Sequence, residues 1–464
     1  MNLGKAGPFL TAAAMVACTA TAHAHAGPQV RGIYLGQTSN MLLSNRGLLF
    51  GEPGSRDWSL LCNEALGIST SEVPKVVVLP DARIMAASSR GLTQTTDGGC
   101  HWEGVASFAK IHSPSLTQDP NNPQRLYLST FAPGMSALHV SEDGGLTWQQ
   151  LLAADDSEYL GYIHVAPNQP EKLYLRALVI GTESFSYATW RSDDTGKSWE
   201  KSSVTLTASE SDLQLLAVSP SDPQFLVAKA EAGMPMDDPE RLLVSHDAGK
   251  TFESTISLHV INAVAFSADG AALSVGSDDG LFVSSDAGET FSQVGDAAYI
   301  DSLYMDGDEL MVGGFFHGVE AGVHGVGISS DGGATMTPWM LLDQVVHPLA
   351  CDSTAMAAIS CKDLWPDWER EILSTSGGSS ATNAGSGASG VGAADAAGAS
   401  PSAGTASAAV GGRDARDLPQ AATSRKRASS CSFHAPISAP RSSSGVGLLA
   451  GLACAWLLRR RSSS

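Results

Sequence analysis

Basic side chains are scarce in this chain. The 464 residues hold 28 Lys and Arg against 48 Asp and Glu, a formal net charge of −20. The last 64 residues alone carry nine of those cations and two acids, Asp414 and Asp417, so residues 1–400 carry about −27. Such a surface repels phosphate backbones, and nucleic acid is not an expected partner. No Cys-x-x-Cys occurs among the seven cysteines, which leaves zinc-ribbon and thioredoxin chemistry without support. No Gly-rich phosphate loop and no Gly-x-Ser-x-Gly elbow is present, so neither nucleotide binding nor serine hydrolysis has a motif to rest on. Large apolar side chains are nearly missing from residues 375–430, where Ser, Gly, Ala and Thr dominate. Nothing there offsets the entropy of ordering, and the stretch reads as a flexible stalk.

What the chain does have is a repeat. An eight-residue box, Ser-x-Asp-x-Gly-x-Thr-Trp, begins at Ser141 and recurs from Thr95, Ser192, Ser245, Ser284 and Ser329. Its aspartates are Asp97, Asp143, Asp194, Asp247, Asp286 and Asp331, at intervals of 46, 51, 53, 39 and 45 residues. Self-similarity at about 40–50 residues marks a repeat architecture. Each box follows a Pro- or Asp-containing turn and an apolar run, such as Ala166-Pro167-Asn168-Gln169-Pro170 before Leu173-Tyr174-Leu175. A unit therefore reads strand A, turn, strand B, variable loop, strand C, box, strand D. A seventh unit is hidden at the start. Residues 41–48 align with 85–92, and Met41 is as far from Trp58 as Met85 is from Trp102, but Pro53 stands where the box has Asp97. Seven units of four short strands imply an all-β, seven-bladed β-propeller of antiparallel blades spanning residues 27–373. Residues 344–373 are a remainder without a box. They read as a closing segment; the alternative is an eighth, degenerate blade with strand A at residues 345–347 and strand B at residues 355–359.

The ends read differently. Residues 1–26 have a basic Lys5, an apolar stretch and an Ala24-His25-Ala26 site, the pattern of a signal peptide. A lipoprotein signal ending at Cys18 is the competing reading. After the stalk at 374–430 come Cys431, a short spacer, an apolar run and Arg459-Arg460-Arg461. At 431–464 this is short for a membrane span and suits a sorting or anchoring tail. With Cys18 in the leader and Cys431 and Cys454 in the tail, Cys62, Cys100, Cys351 and Cys361 remain for the folded region. An even number behind a secretory leader suggests disulfides, with three pairings open.

The box resembles the Asp-box, or BNR repeat, of sialidase-like and sortilin-type propellers. That resemblance implies a hairpin between the third and fourth strands of a blade, with the Asp capping the turn and the aromatic residue tucked beneath. His101 and Ser198 replace Thr, and Met336 replaces the aromatic. The tail resembles the Myxo-CTERM class, which implies Cys431 as the processing or lipid-attachment residue. The cysteine placements resemble those of secreted myxobacterial propellers of unknown function, and the pairing expected with them is Cys62 with Cys100 and Cys351 with Cys361. Sialidases carry an arginine triad and an Arg-Ile-Pro motif. Here Arg83-Ile84-Met85 is the nearest string and sits on a strand B.

Strand order puts the boxes on the same face as the A–B turns. The B–C and D–A loops, which vary in length, lie on the opposite face, where function is expected. The candidate binding residues there are Arg46, Arg90, Asp155, Asp156, Asp237, Asp238, Glu240, Asp278, Asp279, His317, Glu320 and His324. Of these, His317, Glu320 and His324 are of metal-ligating type, and Asp237, Asp238 and Glu240 of calcium-ligating type. A solvated loop is the commoner origin of both groupings, so no metal and no cofactor is expected. His112, His164 and His347 fall near inner strands at inequivalent positions. No catalytic residue is assigned. The expectation is a monomeric, secreted, surface-anchored propeller that recognises a protein or polysaccharide of the envelope, with membrane contact through the tail. A divergent sialidase-like glycoside hydrolase is the alternative.

Overall fold

The computed structural model describes residues 28–376, apart from 37–38, 70–71, 133–135, 182–183, 234–237 and 317–322. Blade 1 is built from β1 (Val30–Tyr34), β2 (Asn40–Ser44), β3 (Gly47–Gly51) and β4 (Trp58–Cys62). Blade 2 follows with β5 (Lys75–Val78), β6 (Ile84–Ser88), β7 (Gly91–Thr95) and β8 (Glu103–Gly104). Blade 3 holds β9 (Ser115–Asp119), β10 (Asn122–Thr130), β11 (Ala137–Ser141) and β12 (Gln149–Ala153). Blade 4 holds β13 (Glu158–Val165), β14 (Leu173–Ile180), β15 (Phe185–Ser192) and β16 (Glu200–Val204). Blade 5 holds β17 (Glu210–Val218), β18 (Leu226–Ala232), β19 (Glu240–Ser245) and β20 (Glu253–Leu258). Blade 6 holds β21 (Ile261–Phe266), β22 (Leu273–Ser277), β23 (Gly280–Ser284) and β24 (Ser292–Val294), and blade 7 β25 (Ala297–Asp306), β26 (Glu309–Phe316), β27 (Val323–Ser329) and β28 (Thr337–Leu341). The chain is a seven-bladed β-propeller. Each blade is a meander of consecutive strands, and the first strands of successive blades contact one another around the ring axis.

The core lies between blades. Apolar side chains of one blade interdigitate with those of the next, as where Leu126 and Leu128 of blade 3 meet Val77 and Met85 of blade 2. Both faces of each sheet are thus covered, so central strands read as runs rather than alternations: β2, β6 and β22 are buried at every position.

The eighth-blade alternative is overturned. Val345–Pro348 (β29) does not start a new sheet. It lies parallel to β4 as a fifth strand on the outer edge of blade 1. Residues 355–359 are not a strand either, because α1 covers Met356–Ser376. Among its described side chains, Ala357, Cys361, Trp368 and Ile372 are buried, spaced four, seven and four residues apart, which is a helical period. The segment from β29 through α1, here called the strap, crosses the joint between blade 7 and blade 1. Val345, Trp368 and Ile372 share a core there with Val30, Trp58 and Met340.

The cysteine pairing also needs correcting. All four cysteines are bonded, but as Cys62–Cys361 and Cys100–Cys351. The strap explains why: it runs along β4 and brings Cys361 to the end of that strand, while Cys351 reaches the box of blade 2. The bonds span 299 and 251 residues. A single cross-link over a loop of that length stabilises by about 5.5 kcal/mol in the chain-entropy description.

Candidate functional site

The boxes form six closely similar hairpins. In the box of blade 3, Ser141 Oγ donates to Asp143 Oδ1 at 2.8 Å and accepts from Gly145 N at 2.8 Å. Asp143 Oδ1 also accepts from Thr147 N at 2.8 Å, and its Oδ2 from Thr147 Oγ1 at 2.6 Å. The same bonds recur around Asp194, Asp247, Asp286 and Asp331. Where His101 replaces Thr, its Nδ1 takes over at 2.6 Å from Asp97 Oδ2. The hydroxyl and amide of Thr147 hold Asp143 down at about 2, and Thr290 does the same to Asp286. These aspartates are turn caps with their lone pairs already engaged.

Two consecutive box positions have positive φ. The fifth is always glycine: at Gly145 (φ 85°) an added Cβ would lie 2.6 Å from Met85 Sδ of the preceding blade. Each box is therefore seated on its neighbour, and Arg83 of blade 2 donates to Gly144 O of blade 3 at 2.8 Å. The fourth position is left-handed even where it is not glycine, at Thr195 (63°), Ala248 (62°) and Ala287 (58°). A left-handed Cβ costs about 1–2 kcal/mol. Ala248 recovers part of this by burying its methyl, whereas Ala287 is exposed and Thr195 only half-buried. Thr195→Gly and Ala287→Gly should each raise stability by about 0.5–1 kcal/mol in urea unfolding. A loss in both variants would contradict this account of the turn.

The opposite face holds the residues expected to bind. Arg90, Asp155, Asp156, Asp238 and Asp279 are exposed on its loops. Arg46 is tied down, with its Nη2 2.7 Å from Glu371 of α1. Glu240 is no loop ligand: it is the first residue of β19, buried, and 3.1 Å from Lys229 Nζ. Asp278 accepts from Asn262 Nδ2 at 3.0 Å, and Asp279 Oδ2 accepts from His259 N at 2.6 Å. Asp237, His317, Glu320 and Cys431, and the side chain of His324, lie outside the described residues. Among the described residues no three His, Cys, Asp or Glu converge as metal ligands.

A polar cluster that the motifs did not reveal lies at the ring axis. Arg31 of β1 reaches Asp301 of β25 at 3.3 Å and Asn262 of β21 at 3.5 Å. Burial pushes the Asp301 carboxyl up to about 7, against the pull of Arg31. Lys75 of blade 2 sits 5.2 Å from the ring centroid of Tyr162 in blade 4, so the two meet across a blade. Burial pushes the Lys75 ammonium down to about 8. Arg176 pairs with Asp212 and stacks 4.9 Å over Tyr187. Gln214 Nε2 donates to Glu231 Oε1 at 2.5 Å, and Lys229 Nζ lies 3.2 Å from the same oxygen. The available signal was faint: single polar residues, Arg31, Lys75 and Asn262, in three otherwise apolar first strands. On the box face, a polar cleft of about 490 Å³ lies between blades 4 and 5, lined by Lys172, Tyr174, Arg191 and Gln224 among others.

The family model described as Sortilin-Vps10 (sortilin, neurotensin receptor 3) matches residues 136–270. No curated protein matches the chain at a significant level. Among solved structures, an ancestral GH74 enzyme is similar at 15% identity and a TM-score of 0.46, covering 67% of this chain and 44% of its own. A Mycobacterium tuberculosis puromycin-hydrolyzing peptidase is similar at 10% identity and a TM-score of 0.47, covering 69% and 54%. YCF48 from Cyanidioschyzon merolae is similar at 15% identity and a TM-score of 0.41, covering 61% and 92%. This chain thus spans less than half of the ancestral GH74 enzyme it resembles.

Proposed function

We propose that the chain is a non-catalytic Asp-box propeller that presents its loop face outside the cell for recognition of a protein or polysaccharide. One observation carries this reading. Apart from Asp301, which burial beside Arg31 raises to about 7, the carboxylates in and beside the axis cluster are matched by cations or amides: Asp212 by Arg176, Glu231 and Glu240 by Lys229, and Asp278 by Asn262. Glycoside hydrolysis needs two carboxyl groups about 5–9.5 Å apart, one free to give a proton and one free to take one or attack. Carboxylates held in pairs instead make a fixed polar surface, suited to binding. The family matched by residues 136–270 is described as a receptor, which points the same way. Two disulfides suit an oxidising compartment. The leader at 1–26, the stalk at 374–430 and the tail with Cys431 would deliver the propeller to the envelope surface and hold it there.

The test pairs binding with turnover. The full chain is offered a glycan panel and solubilised envelope proteins, with reducing ends measured in parallel. Saturable binding is expected, lost in the loop-face variant Arg90→Glu/Asp155→Lys/Asp156→Lys and kept in the box-face variant Lys197→Glu. Release of reducing ends would establish the hydrolase alternative instead.

A further inference from the structure

The outer strand of blade 1 is unlike the other six. β4 reads Trp58-Ser59-Leu60-Leu61-Cys62 and is buried at every position. Each of the other outer strands opens with two exposed residues, such as Gln149-Gln150 in β12 and Glu253-Ser254 in β20. Exposed polar residues keep a sheet edge from pairing with another chain. β4 has no such protection, and the strap supplies it. β29 pairs along β4, Leu349 N donates to Leu60 O at 2.8 Å, and Cys361 Sγ accepts from Cys62 N at 3.0 Å. Blade 7 is complete without the strap, because its four strands end at Leu341. Three residues, Leu342–Gln344, join it to β29.

We propose that the strap is an exchangeable element, locked onto its own ring by the two disulfides and passed to a second copy when they are cut. An identical strap is the natural occupant of a vacated β4, since it reproduces every contact of the closed form. A swapped pair would also align Cys62 with Cys361 and Cys100 with Cys351 between chains. Reduction by dithiothreitol gives each disulfide two electrons and two protons, and the reagent closes to its cyclic disulfide. Oxidised glutathione reverses this, leaving two thiols of glutathione per bond formed.

The experiment uses full-length chain with Cys18, Cys431 and Cys454 replaced by serine. Equal amounts of unlabelled and ¹⁵N-labelled protein are mixed, reduced, concentrated and reoxidised. Mass spectrometry then looks for Cys62–Cys361 and Cys100–Cys351 peptides joining light to heavy chain. About half of the dimer linkages should be mixed, and none should form when the samples are combined after reoxidation. Hydrogen exchange on the reduced, dilute protein should rise at least tenfold at residues 58–62 while β13 through β22 stay protected. Absence of mixed linkages, mixed linkages with other pairings, unchanged exchange at 58–62, or loss of protection in all blades together would each overturn the proposal.

Discussion

Lys229→Ala is expected to lower global stability by about 3–5 kcal/mol, the cost of leaving a buried charge without its partner. Lys229 lies in the middle of β18 and is 2% exposed. Its Nζ is 3.1 Å from Glu240 Oε2, 3.2 Å from Glu231 Oε1 and 2.9 Å from Ile261 O. Glu240 Oε2 also accepts from Ile261 N at 2.7 Å, so the pair ties blade 5 to the first residue of blade 6. Removing the ammonium strands the Glu240 carboxylate, whose side chain is 3% exposed, where water cannot reach it. Lys229→Met/Glu240→Gln removes both charges and keeps an acceptor for Ile261, and should recover all but about 1–2 kcal/mol. Urea unfolding of both singles and the double gives the coupling energy. A Lys229→Ala loss below about 1 kcal/mol would show that the pair is solvated and not structural.

The second large effect is expected at Trp58, where alanine should cost about 3–5 kcal/mol. This indole occupies the position of the box aromatic in the one blade that has no box. It is 2% exposed, donates from Nε1 to Ser55 O at 3.3 Å and packs edge-on to Trp339 with centroids 5.8 Å apart. Gly51 is tailored to it, since a Cβ there would lie 2.5 Å from the indole. Trp58 also shares its core with Val345 and Trp368 of the strap, so the cavity opens under the ring joint. Trp58→Phe keeps most of the apolar contact and should cost about half as much. Equal losses for the two variants would assign the energy to the Nε1 hydrogen bond instead of packing.

These two sites show what the sequence could and could not convey. The box was legible because its bonds are local: Ser141, Asp143, Gly145 and Thr147 satisfy one another within seven residues, so spacing alone implies the turn. Blade count followed from it. Glu240 was misplaced because it follows an acidic stretch, and only the start of β19 shows that its side chain points at Lys229. The axis cluster stayed hidden because Arg31, Lys75 and Asp301 are far apart in sequence, and Arg31 and Lys75 are each a single charged residue in an apolar strand. The cysteine pairing failed for a related reason. The resemblance pointed to Cys351 with Cys361, but the helical turn between them and the parallel course of β29 aim the two thiols at different blades.

The nested disulfides give the molecule a further property. The Cys62–Cys361 bond encloses the Cys100–Cys351 bond, so every loop from blade 3 through blade 7 lies within two covalent rings. A protease that cuts any one of those loops leaves both halves joined, with the blades on either side still in place. Damage of this kind would add only the mass of one water to the particle, and the two fragments would separate only after reduction. A propeller stitched in this way can lose backbone continuity on its exposed face without coming apart.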